Sequence, residues 1–127
     1  MKSKGSRTER ELFHLFWNKK IGTIRVAGSG STSMPAPDLL VGLKNKVLAI
    51  ECKSGKNSRY VTKTQIEELK QFAEAFGATP IVAVRFNNTE WRFLELKDLK
   101  ESRTKNNYVL EKEHSRAFGK VFEDMIK

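Results

Sequence analysis

Apolar residues recur along this 127-residue chain in two rhythms, one helical and one alternating, and together they predict its elements. Leu12, Phe13, Phe16 and Trp17 stand at helical spacing, so a helix is expected from Ser6 to about Lys20, with Ser6-Arg7-Thr8-Glu9 in the form of a capping box at its start. Ile21 to Val26 reads as a strand, and the Gly/Ser tract at 27–34 follows as a loop. Two apolar runs, Asp38 to Gly42 and Val47 to Ile50, are joined by Leu43-Lys44-Asn45-Lys46, a connection short enough for a hairpin. Ser54 to Arg59 is basic and rich in turn formers, so a loop is expected there. Thr62 caps a second helix from about Lys63 to Phe76, striped by Ile66, Leu69, Phe72, Ala73 and Phe76 and ended by Gly77. Pro80 to Phe86 is almost continuously apolar, which places it at a sheet centre with both faces covered. Glu90 to Leu96 alternates as a partly exposed strand, in which Trp91 and Phe93 are packing residues rather than base-stacking ones.

The remainder is less patterned. Lys97 to Glu113 is polar and charged, and a short helix, a loop and a short strand are expected in it. From about Glu113 to Ile126, Phe118, Val121, Phe122, Met125 and Ile126 recur at helical spacing, a stripe that either packs on the parent sheet or pairs across a two-fold axis. The whole reads as an α/β fold, a mixed central sheet flanked by helices, in one domain spanning 1–127 with residues 1–5 as a flexible basic arm.

Chemistry concentrates in the hairpin. An antiparallel pair joined by so short a connection sets the start of its first strand beside the end of its second, so Asp38 and Glu51 meet. Alternation then puts Glu51 and Lys53 on one face and Ile50 and Cys52 on the other. Paired carboxylates suit a hard divalent cation, and an ammonium beside it can orient a water and offset charge on a phosphate. The plainer alternative is that all three are ordinary strand and turn residues. Glu9 also has two readings. It closes the capping box, or, standing at i with Leu12, Phe13 and Phe16 at i+3, i+4 and i+7, it lies on the stripe facing the interior.

Charge narrows the partners. Lys and Arg total 24 against 15 acids, a formal net charge of +9, which fits a polyanion such as nucleic acid. No apolar run approaches the roughly 20 residues of a spanning helix, and Met1 to Gly5 lacks the apolar region of a signal peptide, so no membrane association and a cytoplasmic location are expected. The single cysteine, Cys52, has no intramolecular disulfide partner and reads as core. Lys53, Lys56, Arg59 and Lys63 either form a solvated surface or bind phosphates beside the paired acids. His14 and His114 are isolated from other ligand types and take no role.

Pro37-Asp38, twelve residues, then Glu51-Cys52-Lys53 resembles the PD-(D/E)xK nuclease superfamily. Further residues resemble one branch of it, the archaeal Holliday junction resolvases: Gly5-Ser6 with Glu9-Arg10, Arg25 with Gly28-Ser29-Gly30-Ser31, Tyr60-Val61, Gln65 and Trp91-Arg92-Phe93. The resemblance spans nearly the whole chain and implies a restriction-endonuclease-like fold. It also implies a homodimeric crossover junction endonuclease that makes paired nicks in a four-way DNA junction and leaves 5′-phosphate and 3′-hydroxyl ends. Glu9, Asp38 and Glu51 would then hold one or two Mg²⁺ ions, with Mn²⁺ able to substitute, and Lys53 would orient or help deprotonate the attacking water. Ser29 would be the catalytic loop serine, with Ser31 as the alternative. Arg10, Arg25, Ser31, Lys56, Arg59, Lys63 and Gln65 would face DNA, Gln65 being equally readable as a solvent-facing first-turn residue. Two other functions keep the same residues in play: a sequence-directed or repair endonuclease, and a non-catalytic architectural DNA-binding module, for which the basic charge suffices but the acids and lysine have no use.

Overall fold

A computed structural model of the chain describes residues 4–26, 34–56, 58–87 and 90–120, with side chains from residue 7 onward. Helix α1 (Lys4–Asn18) leads into β1 (Thr23–Arg25), β2 (Leu39–Gly42), β3 (Val47–Gly55) and β4 (Ser58–Thr62). After α2 (Lys63–Phe76) come β5 (Thr79–Phe86), β6 (Trp91–Glu95), β7 (Lys100–Glu101), β8 (Asn107–Glu111) and β9 (Arg116–Ala117). Six strands form the central sheet in the order β1-β2-β3-β5-β6-β9. Only β3 and β5 run parallel among these neighbours. A parallel pair needs a crossover, and α2 lies on it.

The helices cover opposite faces. Leu12 and Phe16 of α1 pack on Leu39, Val41, Leu48, Ile50, Ile81 and Ala83, while Ile66, Leu69 and Ala73 of α2 pack on Ala49, Val82, Val84 and Phe86. Residues 81–84 are therefore buried on both sides, as their unbroken apolar run requires. Trp91 and Phe93 are buried packing residues. Helix α2 is capped as its sequence suggests: the Thr62 hydroxyl accepts from the Gln65 amide at 3.1 Å, the Gln65 side chain accepts from the Thr62 amide at 3.2 Å, and Gly77 closes the end at φ 83°.

Four expectations change. Helix α1 begins at Lys4 rather than Ser6, so residues 4 and 5 of the expected arm are helical and Ser6 stands within the helix rather than at its start; the Glu9 carboxylate pairs with Arg25. The expected loop at 54–59 is mostly strand, because residues 53–55 extend the parallel pairing with β5 and residues 58–62 pair with β8. Gly55 fits the tight approach between those stretches, since a Cβ there would stand 2.8 Å from the Ser58 carbonyl oxygen. The short strand expected between Lys97 and Glu113 is β8, and with β4 and β7 it forms a second, three-stranded sheet, β4-β8-β7, that the local pattern does not predict; its Val61 and Leu110 join the α2-side core. At the C-terminal end, residues 112–114 make a 3₁₀ turn, Arg116–Ala117 pair with β6, and helix starts only at residue 118. Arg92 anchors this turn by donating to Ser115 Oγ at 2.9 Å and to its carbonyl at 2.8 Å. Phe118 packs between Phe16 and Phe93 of its own chain, with ring centroids at 5.4 and 5.6 Å, whereas Val121, Phe122, Met125 and Ile126 lie outside the described residues. No described helix is long and apolar enough to cross a membrane.

Candidate active site

The site arises from a mismatch in strand length. β3 runs nine residues, but β2 covers it only from Val47 to Ile50, so residues 51–55 are paired with β5 on one side and, among the described residues, lack a strand on the other. Asp38, the residue just before β2, fills this notch. Its amide donates to the Ile50 carbonyl at 2.9 Å, and its Oδ2 accepts from the Cys52 amide at 2.7 Å, satisfying the N–H that a longer β2 would have taken. The carboxylate is thereby pinned against Glu51, as the hairpin geometry anticipates.

Glu51 and Lys53 share the α2-side face by alternation, and Lys53 Nζ stands 3.9 Å from Glu51 Oε2. Ile50 and Cys52 face the α1 side, where Cys52 packs on the core. Burial pushes the Glu51 carboxyl up to about 9, assisted by a hydrogen bond to the Asp38 carboxyl and by its charge; Lys53 pulls the other way and Glu9 adds a smaller upward push. Burial, with the charges of Asp38, Glu9 and Glu51, likewise pushes the Cys52 thiol up, so it is no ready nucleophile.

Glu9 approaches from α1. Its carboxyl is raised by burial and then by Asp38, against the lowering effect of Arg25, whose Nε lies 3.2 Å from Glu9 Oε1. Arg25, expected on the DNA side, is thus tied to the acid cluster, a partnership that spans sixteen residues and leaves no local signal. Glu11, one residue outside the motif, was also not readable: its Oε1 accepts from the Trp91 indole at 3.1 Å and pairs with Arg85 Nε at 2.8 Å, fixing α1 on β5 and β6.

The acids Glu9, Asp38 and Glu51 are electrostatic neighbours, yet among the described residues no three His, Cys, Asp or Glu side chains form a ready-made metal cage. That donor set fits a cation that completes its shell with water and phosphate oxygens rather than one needing an all-protein cage. Of the expected DNA contacts, Lys56 and Arg59 are exposed just past the site, and Arg10 is half-buried on α1. Lys63 instead pairs with Glu101 at 3.4 Å and lies 5.7 Å from the Tyr108 ring centroid, while Gln65 is engaged in the α2 cap. Ser29 and Ser31 lie outside the described residues.

The family model for the archaeal Holliday junction resolvase (Hjc) matches residues 1–127. The crossover junction endodeoxyribonuclease Hjc of Archaeoglobus fulgidus is 39% identical over 112 residues, covering 87% of this chain and 81% of that protein. Its counterpart from Methanocaldococcus jannaschii is 38% identical over 109 residues, covering 85% and 76%. The solved structure of Archaeoglobus fulgidus Hjc, a Holliday junction resolvase from an archaeal hyperthermophile, superimposes with a TM-score of 0.84 at 33% identity, covering 93% of this chain and 98% of that one. The sheet flanked by two helices is accordingly a restriction-endonuclease-like fold. With the match running from the first residue to the last, the chain belongs to the archaeal Holliday junction resolvase family.

Proposed function

We infer that this chain is a metal-dependent endonuclease that resolves four-way DNA junctions by paired symmetric nicks, acting in the cytoplasm as a homodimer of single nuclease domains, each spanning 1–127. The observation that carries this reading is the notch, where Asp38 is pinned against a Glu51 carboxyl that burial holds protonated up to about pH 9. A carboxyl driven toward its neutral form by burial beside a second acid marks a site short of positive charge. Glu9 brings a third acid to it, and oxygen ligands of this kind suit one or two Mg²⁺, with Mn²⁺ able to substitute. When bound, such an ion lowers the pKa of its water and offsets charge on the phosphate.

The chain's own residues do the rest. Lys53, on the same face as Glu51, orients the attacking water and balances charge developing on the phosphate oxygens. Arg10, Lys56 and Arg59 dock neighbouring phosphates, and Ser29, or Ser31 in its place, closes over the scissile one. The water oxygen loses a proton to solvent and bonds to phosphorus as the bond from phosphorus to the 3′ oxygen breaks; the departing oxygen takes a proton from solvent, leaving a 3′-hydroxyl and a 5′-phosphate. The names of the relatives, crossover junction endodeoxyribonucleases, support the branched substrate. Resolution into two duplexes needs two cuts, and a dimer supplies the second site.

The test is to incubate the protein with a fixed four-way junction, a linear duplex and a flap, with and without Mg²⁺, and map the cuts. Two symmetric nicks in the junction alone, only with metal, are expected. Equal cutting of the linear duplex would favour the sequence-directed or repair endonuclease, and binding without cutting under any divalent cation would favour the architectural module.

A further inference from the structure

The small sheet carries a groove that the cutting chemistry does not use. Because Val61 and Leu110 point into the α2-side core, the alternate residues Ser58 and Tyr60 of β4 and Val109 and Glu111 of β8 point outward. Tyr60, Val109 and Lys100 form one cross-strand row, and Ser58 and Glu111 the next. The turn after β7, with Arg103 and Thr104 exposed, walls the far side, enclosing about 510 Å³. That is within the roughly 300–1,000 Å³ of ligand sites.

Its chemistry is that of a nucleotide site. Tyr60 is 60% exposed, so an aromatic face stands open to solvent on a strand, where burial would be the ordinary use of such a residue. Of the groove's acids, Glu101 pairs with Lys63 at 3.4 Å, and Glu111 lies 3.6 Å from His114, an ion pair only when the imidazole is protonated. Lys100 and Arg103 have no ion pair among the described residues, which leaves the groove with open positive charge. Lys100 stands two strands from Tyr60, roughly 10 Å, a span that a stacked base and its flanking phosphates bridge.

We propose that this groove is a second DNA contact, in which Tyr60 stacks on a base face exposed at the branch point, where stacking between the arms is interrupted, while Lys100 and Arg103 hold the adjoining phosphates. The proposal rests on the junction-cutting reading and supplies a contact that linear duplex, with every base stacked, cannot make. Continuity with the cutting site supports it: only four residues lie between Lys53 and Ser58, five steps that span at most about 18 Å of chain, so one branched substrate reaches both. A stacking platform of this kind is indifferent to base identity, which suits recognition of shape over sequence.

The experiment measures affinity in metal-free buffer for a four-way junction and a linear duplex, using 2-aminopurine either beside the branch point or within an arm. Tyr60→Thr, which keeps a strand-forming residue and removes the ring, is expected to weaken junction binding about tenfold and to leave duplex binding unchanged. The branch-point fluorescence change should vanish in that variant and persist in Tyr60→Phe. Lys100→Ala with Arg103→Ala should flatten the salt dependence of junction binding by about two units of slope. Junction affinity and branch-point fluorescence unaltered by Tyr60→Thr would overturn the proposal. Cleavage in Mg²⁺ is read separately: failure to cut would overturn the nuclease reading, while the Tyr60 dependence of binding would still support the groove.

Discussion

Lysine and glutamate are paired in two regions of this molecule, and the pairs do different things. In the notch, the Lys53 and Glu51 side chains are 12% and 19% exposed, and burial, helped by Asp38, makes the Glu51 carboxyl retain its proton far above its ordinary range. On the small sheet, Lys63 and Glu101 are 41% and 50% exposed, and water screens them. The same residue types lose most of their water where strand ends bury them in the notch and keep it on the small sheet.

The sharpest way to break this contrast is to remove charge from the notch. Asp38→Asn or Glu51→Gln is expected to slow single-turnover cleavage of a junction by at least about 10²–10³-fold while leaving junction affinity intact or tighter, since the basic surface is untouched. Undiminished cleavage by either variant at saturating Mg²⁺ would remove the notch from the mechanism. Lys53→Ala should lower the cleavage rate on bound substrate by about 10²-fold, whereas Ala at Lys56 or Arg59 should lower affinity and reduce the salt slope by about one. If all three changed affinity alone, Lys53 would be one more phosphate contact.

Stability separates the regions next. The Glu51 carboxyl rises from 4.5 to about 9 on folding, so the folded state keeps a proton that the unfolded chain has released, and metal-free stability falls as pH climbs through that window. In chelator at pH 8, Glu51→Gln should therefore be more stable than the parent by on the order of 1–3 kcal/mol, with the difference gone below pH 4.5. Coincident melting curves at pH 8 would contradict this. Lys63→Ala should cost less than about 1 kcal/mol, and Glu11→Ala about 1–2 kcal/mol, because the Trp91 indole it accepts from is only 2% exposed. Chemical denaturation of the two variants orders them.

How far the sequence could be read follows the same divide. Asp38, Glu51 and Lys53 were legible because a short hairpin and strict alternation are local rules, and helix α2 because Thr62, Gln65 and Gly77 carry its caps within the helix itself. The stripe of Leu12 and Phe16 located α1, but not its start, since Glu9 found Arg25 rather than the helix end. Of the small sheet only one short strand between Lys97 and Glu113 was legible: β4 pairs with β8, whose residues lie about fifty positions away, and Ser58 and Arg59 look like loop until they meet it. Phe118 could not be assigned between parent core and partner until Phe16 and Phe93 were placed around it.

Dimerisation bears on the second cut. Sedimentation at micromolar concentration should give twice the chain mass, and mixing parent with Asp38→Asn protein should yield junctions nicked on one strand; a monomer resolving junctions at the same specific rate at every dilution would contradict it.

The central claim is that the notch between β2 and β3 holds the divalent ion, and anomalous diffraction from crystals grown with a four-way junction and Mn²⁺ tests it most directly. A peak about 2.1–2.2 Å from carboxylate oxygens of Asp38 and Glu51 is expected, close to the ligand distance of the Mg²⁺ it replaces, and should be absent from Glu51→Gln crystals. A fully occupied ion elsewhere, with the Asp38 and Glu51 carboxyls still bonded to each other, would contradict the account.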